Sequence, residues 1–270
     1  MKRLILLATG ALALLATTAA PAGAGATATA ASSTVCVEAS EFSSLAALTA
    51  SSSTARGWNR DAPARVNVGD SDYDGGLAPN VPPGFTVKVP TYIHVITDGS
   101  TGRLTNAQIR RQMDVLNLSF AGFYGGANSG VSFELAGVTR TDNAEWFTMN
   151  DFADEIAAKT ALRQGGPNAL NIYTGTAAGN LGFAYYPSIL KFNGGKFAIL
   201  DGVVIHYGSV PGGFIENFNL GFTATHEVGH WLGLAHTFDK GCFGDGDRVD
   251  DTPAMSVPTS GCPEGKDTCV

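Results

Sequence analysis

The stretch His226-Glu227-Val228-Gly229-His230-Trp231-Leu232-Gly233-Leu234-Ala235-His236 holds three imidazoles and one carboxylate at spacings that suit a metal. His226 and His230 are four residues apart, so on a helix their rings share one face. Neutral imidazole nitrogens bind Zn²⁺ at about 2.0–2.1 Å. A third ligand must come from off the helix. Gly233 lets the backbone turn sharply where the helix ends, and the returning chain can deliver His236. Three protein ligands leave one tetrahedral position for water, as in catalytic zinc sites. Glu227 flanks the histidine face and need not be a ligand. Its carboxylate can take a proton from that water and pass it to a leaving amine. At roughly 100° per residue, Ala224, Val228, Trp231 and Leu232 fall on the opposite side, facing a core. The competing reading is a buried helix with incidental histidines. Against it, the chain has 5 histidines, and His226, His230 and His236 are all in this stretch.

The elements around the motif must bring it to a cleft. The chain has 270 residues, 44% hydrophobic and 15% charged, which fits one or two globular domains. Val87 to Thr97 reads as a strand. Leu104 to Phe120 reads as a long helix, with a capping box at Thr105-Asn106-Ala107-Gln108 and core positions at Ile109, Met113, Leu116 and Phe120. Val131 to Val138 and Leu170 to Tyr173 read as strands, with a short helix within Phe147 to Leu162. Ala184 to Tyr186 and Gly202 to Tyr207 complete a sheet. His94 and His206 lie in strands and are expected to be structural. The class is α+β: a mixed twisted sheet with two long helices, one carrying the metal motif.

Met1 to about Ala26 reads as a signal peptide. Lys2 and Arg3 precede the apolar run Leu4 to Leu15, and Ala22-Gly23-Ala24 is a candidate cleavage site. An uncleaved anchor is the alternative, but the run is shorter than the ~20 residues that span a bilayer comfortably. The expectation is a secreted, extracellular protein with no stable membrane association after cleavage. Residues 27–86 read as a poorly ordered propeptide or linker, with Arg56, Arg60 and Arg65 as candidate processing points. Net charge is −7, which argues against a nucleic-acid partner. Export allows disulfides among Cys36, Cys242, Cys262 and Cys269, and four cysteines permit three complete pairings. The run Gly244-Asp245-Gly246-Asp247-Arg248-Val249-Asp250-Asp251-Thr252-Pro253 offers hard oxygen ligands suited to Ca²⁺, or is a solvated acidic loop.

The extended motif resembles that of the metzincin metalloproteases. With Thr237-Phe238 after the third histidine, it is most similar to the pappalysin family, the cytophagalysin-type enzymes of M43. Leu104-Thr105-x-Ala107-Gln108-Ile109, Leu116-Asn117-x-x-Phe120, Leu162-Arg163-x-Gly165 and Asp201-Gly202-Val203-Val204-Ile205 extend the resemblance over about Val87 to Val270. It implies a zinc endopeptidase acting on proteins or peptides, with zinc on His226, His230 and His236 and Glu227 as general base. It implies a substrate-pairing edge strand at Gly182, Phe183, Ala184 and Tyr185, an ordinary edge strand being the alternative. It also implies a Cys242–Cys269 bridge worth roughly 3 kcal/mol in the chain-entropy account. Asp247, the carbonyl of Val249, and Thr252 become candidate calcium ligands. Cys36 is either a thiolate switch that caps the zinc, a disulfide partner of Cys262, or a free thiol. Family members carry a Met-turn segment downstream of the third histidine. The chain reaches Val270 without one, and Met255 lies too near His236 to replace it. The expectation is therefore a catalytic domain over residues 87–270 with an incomplete C-terminal subdomain. The alternative is a zinc-binding secreted protein with impaired or no activity.

Overall fold

Val87–Thr97 forms β1, the long strand beside which the sheet is built. The computed structural model describes residues 83–239, 241–243, 247, 249, 252–259 and 263–269. The expected leader, Cys36, Arg56, Arg60, Arg65 and Cys262 lie outside the described residues. Helix α1 (Asn106–Phe120) starts where its cap demands. The Thr105 hydroxyl accepts the Gln108 N–H at 3.2 Å, and Gln108 Oε1 accepts the Thr105 N–H at 3.0 Å. Ile109, Met113 and Leu116 are its buried face.

Strand β2 (Val131–Asp142) runs four residues beyond the expected end. The single helix expected within Phe147 to Leu162 is instead two, α2 (Ala144–Thr148) and α3 (Phe152–Leu162). Asn143 caps α2 through the Trp146 N–H, and Asp151 caps α3 through the Asp154 N–H, both at 2.9 Å. Between them Met149 is left-handed at φ 46, which no continuous helix allows.

Strand β3 (Leu170–Gly175) follows, then the short β4 (Gly182–Ala184). The strand expected at Ala184 to Tyr186 is thus shifted, because Tyr186 is already the N-cap of α4 (Pro187–Gly195). Strand β5 (Val203–His206) and helix α5 (Phe222–Trp231) complete the named elements.

The sheet order is β2-β1-β3-β5-β4. Strands β1, β2, β3 and β5 are parallel, and β4 pairs antiparallel with β5, matching Gly182 to Ile205 and Ala184 to Val203. One face buries Ile93, Val95, Ile172, Val203 and Ile205 against Ile109, Met113 and Leu116 of α1 and Ala224 and Val228 of α5. The other buries Ile96, Tyr173, Phe183 and Val204 against Phe147, Met149 and Ala158. The result is a mixed α+β sheet with the motif helix packed on it. No helix among the described residues is long and apolar enough to cross a membrane.

Both strand histidines are built into this framework. His94 Nδ1 lies 2.8 Å from Thr139 Oγ1 and Nε2 lies 2.9 Å from Asn171 Oδ1, so a neutral ring satisfies both. His206 Nδ1 accepts the Gly208 N–H at 3.0 Å. Burial pushes its pKa down to about 4 from 6.5. Above pH 6.5 the ring is neutral folded or unfolded. As pH falls below 6.5, the unfolded chain takes up a proton that the folded ring refuses, so stability drops until about pH 4. From pH 7.5 to 5 this one group should remove about 2 kcal/mol. Urea unfolding of the parent and His206→Asn, which keeps an acceptor for the Gly208 N–H and does not titrate, should differ in pH dependence by that amount. Parallel slopes would show that His206 titrates normally.

Candidate metal centre

Helix α5 is positioned by its neighbours at both ends. Gly221 precedes it at φ +93, and a Cβ there would lie 2.8 Å from Pro211 Cγ. From α1, Gln112 Nε2 donates to the Gly221 carbonyl at 2.9 Å, and Ser119 Oγ meets Thr225 Oγ1 at 3.0 Å. Ala224 and Val228 are fully buried, and Trp231 packs beside them. Leu232, expected on the same side, is 40% exposed. The helix has ended at Trp231, so helical periodicity no longer directs it.

The exit from α5 is a Schellman turn. The Gly233 N–H bonds the His230 carbonyl and the Leu234 N–H bonds the Gly229 carbonyl, each at 2.9 Å. Gly233 sits at φ +104, where an L side chain is strained. The turn aims the Leu234 carbonyl at His230, whose Nδ1 donates to it at 2.7 Å. That bond puts the proton of His230 on Nδ1 and leaves Nε2 as a lone-pair donor. Gly233→Ala should therefore cost about 1–2 kcal/mol of stability. It should also weaken zinc binding about tenfold by loosening His230. Chelator competition alongside urea unfolding would check both, and unchanged zinc affinity would deny the turn its second role.

The chain then returns His236 to the helix face. The Nε2 atoms of His226, His230 and His236 form a triangle with sides of 3.0, 3.1 and 3.3 Å. Three nitrogens each about 2.0–2.1 Å from a tetrahedral zinc stand about 3.3 Å apart, so the donor set fits. His230 Nε2 carries no proton, and a triangle this tight is held best by a shared cation. Among the described residues this is the group of three or more His, Cys, Asp or Glu that could hold a metal. Burial first, and then His230 and His236, push the His226 pKa down to about 3. His226 is exposed at the surface, so the crowding of three imidazoles is the firmer of these causes. Burial, opposed by the Leu234 carbonyl, also lowers His230. The lowered pKa values keep the His226 and His230 rings neutral, as ligation needs.

Three supporting residues were given no role at the site by the sequence. Asp239 Oδ1 lies 3.6 Å from His236 Nδ1, and the Tyr186 hydroxyl donates to Asp239 Oδ2 at 3.4 Å. Burial works to raise the Asp239 pKa, but His236 and Tyr186 outweigh it and hold it below the usual carboxylate range. A carboxylate three residues past a ligand histidine was the available signal for Asp239. Met255, set aside in the sequence, donates its N–H to the Thr237 carbonyl at 2.8 Å, and its sulfur lies 3.1 Å from Thr237 Oγ1. It thus fastens the chain just past His236.

Glu227 is buried and lies against β4. A Cβ on Gly182 would come within 2.8 Å of Glu227 Oε1. Gly182, Phe183 and Ala184 are the strand at the sheet edge, all three buried, and Tyr185 follows them. In the acidic loop, Asp247 Oδ1 accepts the Val249 N–H at 3.0 Å and the Val249 carbonyl accepts the Thr252 N–H at 3.1 Å. Both oxygens thus serve the loop's own backbone. Cys242 and Cys269 are bridged, with Cα atoms 5.2 Å apart.

Comparison with known proteins agrees with this geometry. The peptidase family M43 profile, described as pregnancy-associated plasma protein-A, matches residues 169–270. An extracellular metalloprotease of Arthroderma benhamiae is 45% identical over 188 residues, covering 68% of this chain and 60% of that protein. One from Pyricularia oryzae is 46% identical over 186 residues, covering 67% and 62%. The chain thus spans somewhat under two thirds of these relatives. Mature mirolysin of Tannerella forsythia, solved in complex with a cleaved peptide, superposes with a TM-score of 0.53 at 30% identity, covering 68% of this chain and 78% of that one. A metzincin neighbour that alike in sequence, extracellular metalloprotease relatives and the matching profile make this chain a member of peptidase family M43, the pappalysins.

Proposed function

We propose that the chain is a secreted zinc metalloendopeptidase that hydrolyses peptide bonds in proteins. The observation that carries this reading is the Nε2 triangle of His226 and His230 on α5 with His236 beyond its end, beside Glu227, a buried carboxylate on the same helix. Zinc on these three histidines would supply Lewis acidity, polarising a peptide carbonyl and acidifying water. The protein's own groups do the rest. The Leu234 carbonyl fixes the His230 ring. Glu227 takes a proton from the attacking water and returns one to the amine nitrogen as the C–N bond breaks. The backbone of Gly182, Phe183, Ala184 and Tyr185 would lay out an extended peptide beside it.

The names of the relatives support secretion, as does the leader pattern of residues 1–26. Residues 27–86 then form a propeptide or linker, and 87–270 the catalytic domain. The bound cleaved peptide in mirolysin supports a peptide substrate. The test is casein digestion by the full chain, with and without a zinc chelator, followed by zinc add-back. Cleavage should stop on chelation and return with zinc. Cleavage that ignores the chelator would overturn the reading. A chain that binds zinc and leaves casein intact would favour a zinc-binding protein without activity.

A further inference from the structure

Arg163 and Asp201 belong to the segments that resemble pappalysins, and the reaction gives neither a task. They meet behind the metal centre. Asp201 Oδ2 accepts from Arg163 Nη2 at 2.7 Å and Nε at 3.3 Å, while its Oδ1 accepts from the indole N–H of Trp231 at 2.8 Å. Trp231 adjoins the ligand His230 in α5. Arg163 is itself held by the carbonyls of Gly165 and Gly166 at 3.0 and 3.1 Å. A buried aspartate held by a planar guanidinium is a rigid anchor. Such an anchor would resist rotation of α5 about its axis.

Arg163 is the C-cap of α3, and the same helix carries a second buried charged group. Glu155 and Lys159 are both fully buried, with Nζ and Oε1 2.8 Å apart. Lys159 also donates to the Leu200 carbonyl at 2.6 Å, next to Asp201. Its ammonium lies 5.2 Å from the centre of the Tyr185 ring. Glu155 Oε2 accepts the Tyr185 hydroxyl at 2.9 Å. Tyr185 directly follows β4, the strand against which Glu227 is packed. Residues 155, 159 and 163 recur every four positions, so this face of α3 and its C-cap reach both the ligand helix and the edge strand.

We propose that this Glu155–Lys159–Arg163 face is a positioning device for the active site. One arm runs through Asp201 and Trp231 and sets the ligand helix. The other runs through Tyr185 and sets the edge strand. A fully buried ion pair is a costly way to gain stability, and fixing geometry is the better-attested use of one. The proposal rests on the zinc-peptidase reading, and each arm has its own readout.

Removing Glu155 or Lys159 would strand the opposite charge in the interior and unfold the chain, so the test cuts the far end of each arm. Trp231→Phe keeps the ring and loses only the indole N–H. It should weaken zinc binding about tenfold, read by competition with a chromogenic chelator, with KM unmoved. Tyr185→Phe loses only the hydroxyl. It should leave zinc affinity intact and raise KM roughly five- to tenfold, more than it lowers kcat. A merely stabilising role would lower both melting temperatures and move neither quantity separately. Parent-like zinc affinity in Trp231→Phe, or parent-like KM in Tyr185→Phe, would overturn that arm. A parent that binds zinc but cleaves nothing would sink the peptidase reading and leave the Trp231 arm measurable.

Discussion

Glu227→Ala should bind zinc as tightly as the parent and hydrolyse peptides about 10²–10⁴-fold more slowly. The two halves of that expectation have separate causes. Zinc affinity belongs to three imidazoles whose Nε2 atoms already stand 3.0–3.3 Å apart, and no Glu227 atom takes part in that triangle. The loss belongs to the proton. Without the carboxylate, water must give up its proton to solvent, and the departing amine must find one there. Glu227→Gln separates charge from shape, because it fills the same buried space and cannot act as a base. Both variants should therefore be slow, with Gln no better than Ala. The measurement is zinc content by elemental analysis beside kcat on a fluorogenic peptide. Parent-like turnover in either variant would remove Glu227 from the mechanism. Loss of zinc in both would make it a structural support for the ligands.

The parts of the molecule that were legible in advance are those whose signal is local. Thr105 and Gln108 announce the start of α1 because a capping box is written in four consecutive residues. The turn at Gly233 was readable because a helix that must end between His230 and His236 needs a left-handed residue there. The break at Met149 was not. A residue with ordinary helix propensity is forced left-handed by two competing caps, Asn143 and Asp151, eight positions apart. Helix α4 was not expected, and its last residues, Asn193-Gly194-Gly195, have low helix propensity. The anchors of the metal centre were hidden by distance. Trp231 and Asp201 are 30 residues apart, and Arg163 and Asp201 are 38 apart. Family resemblance flagged Arg163 and Asp201 without a reason. The reason needs the sheet, which brings the end of α3 to the start of β5.

Gly182→Val should lower kcat/KM about 10²-fold without loss of zinc, since misplacing a catalytic group by about 1 Å costs that much. The cause is a space with no room in it. A Cβ on residue 182 would lie 2.7 Å from Glu227 Cγ, 2.8 Å from Glu227 Oε1 and 2.9 Å from the Val204 carbonyl. The Val204 carbonyl belongs to β5, which is paired with β3 on one side and β4 on the other, and has little room to retreat. Either β4 lifts away from β5 or the Glu227 side chain swings off its position. Both move the carboxylate relative to the histidines, and the first also moves the strand proposed to hold substrate. Gly182→Ala adds only the Cβ, and a smaller shift relieves it, so the loss should be intermediate, with Val losing more. The ligands themselves are untouched, so zinc stoichiometry should stay at the parent level throughout the series. Melting temperature separates this from unfolding: activity should fall at temperatures where every variant is still folded. If Ala and Val both kept the parent rate, Glu227 would tolerate a displaced neighbour, and the close approach of β4 to the carboxylate would have no part in catalysis.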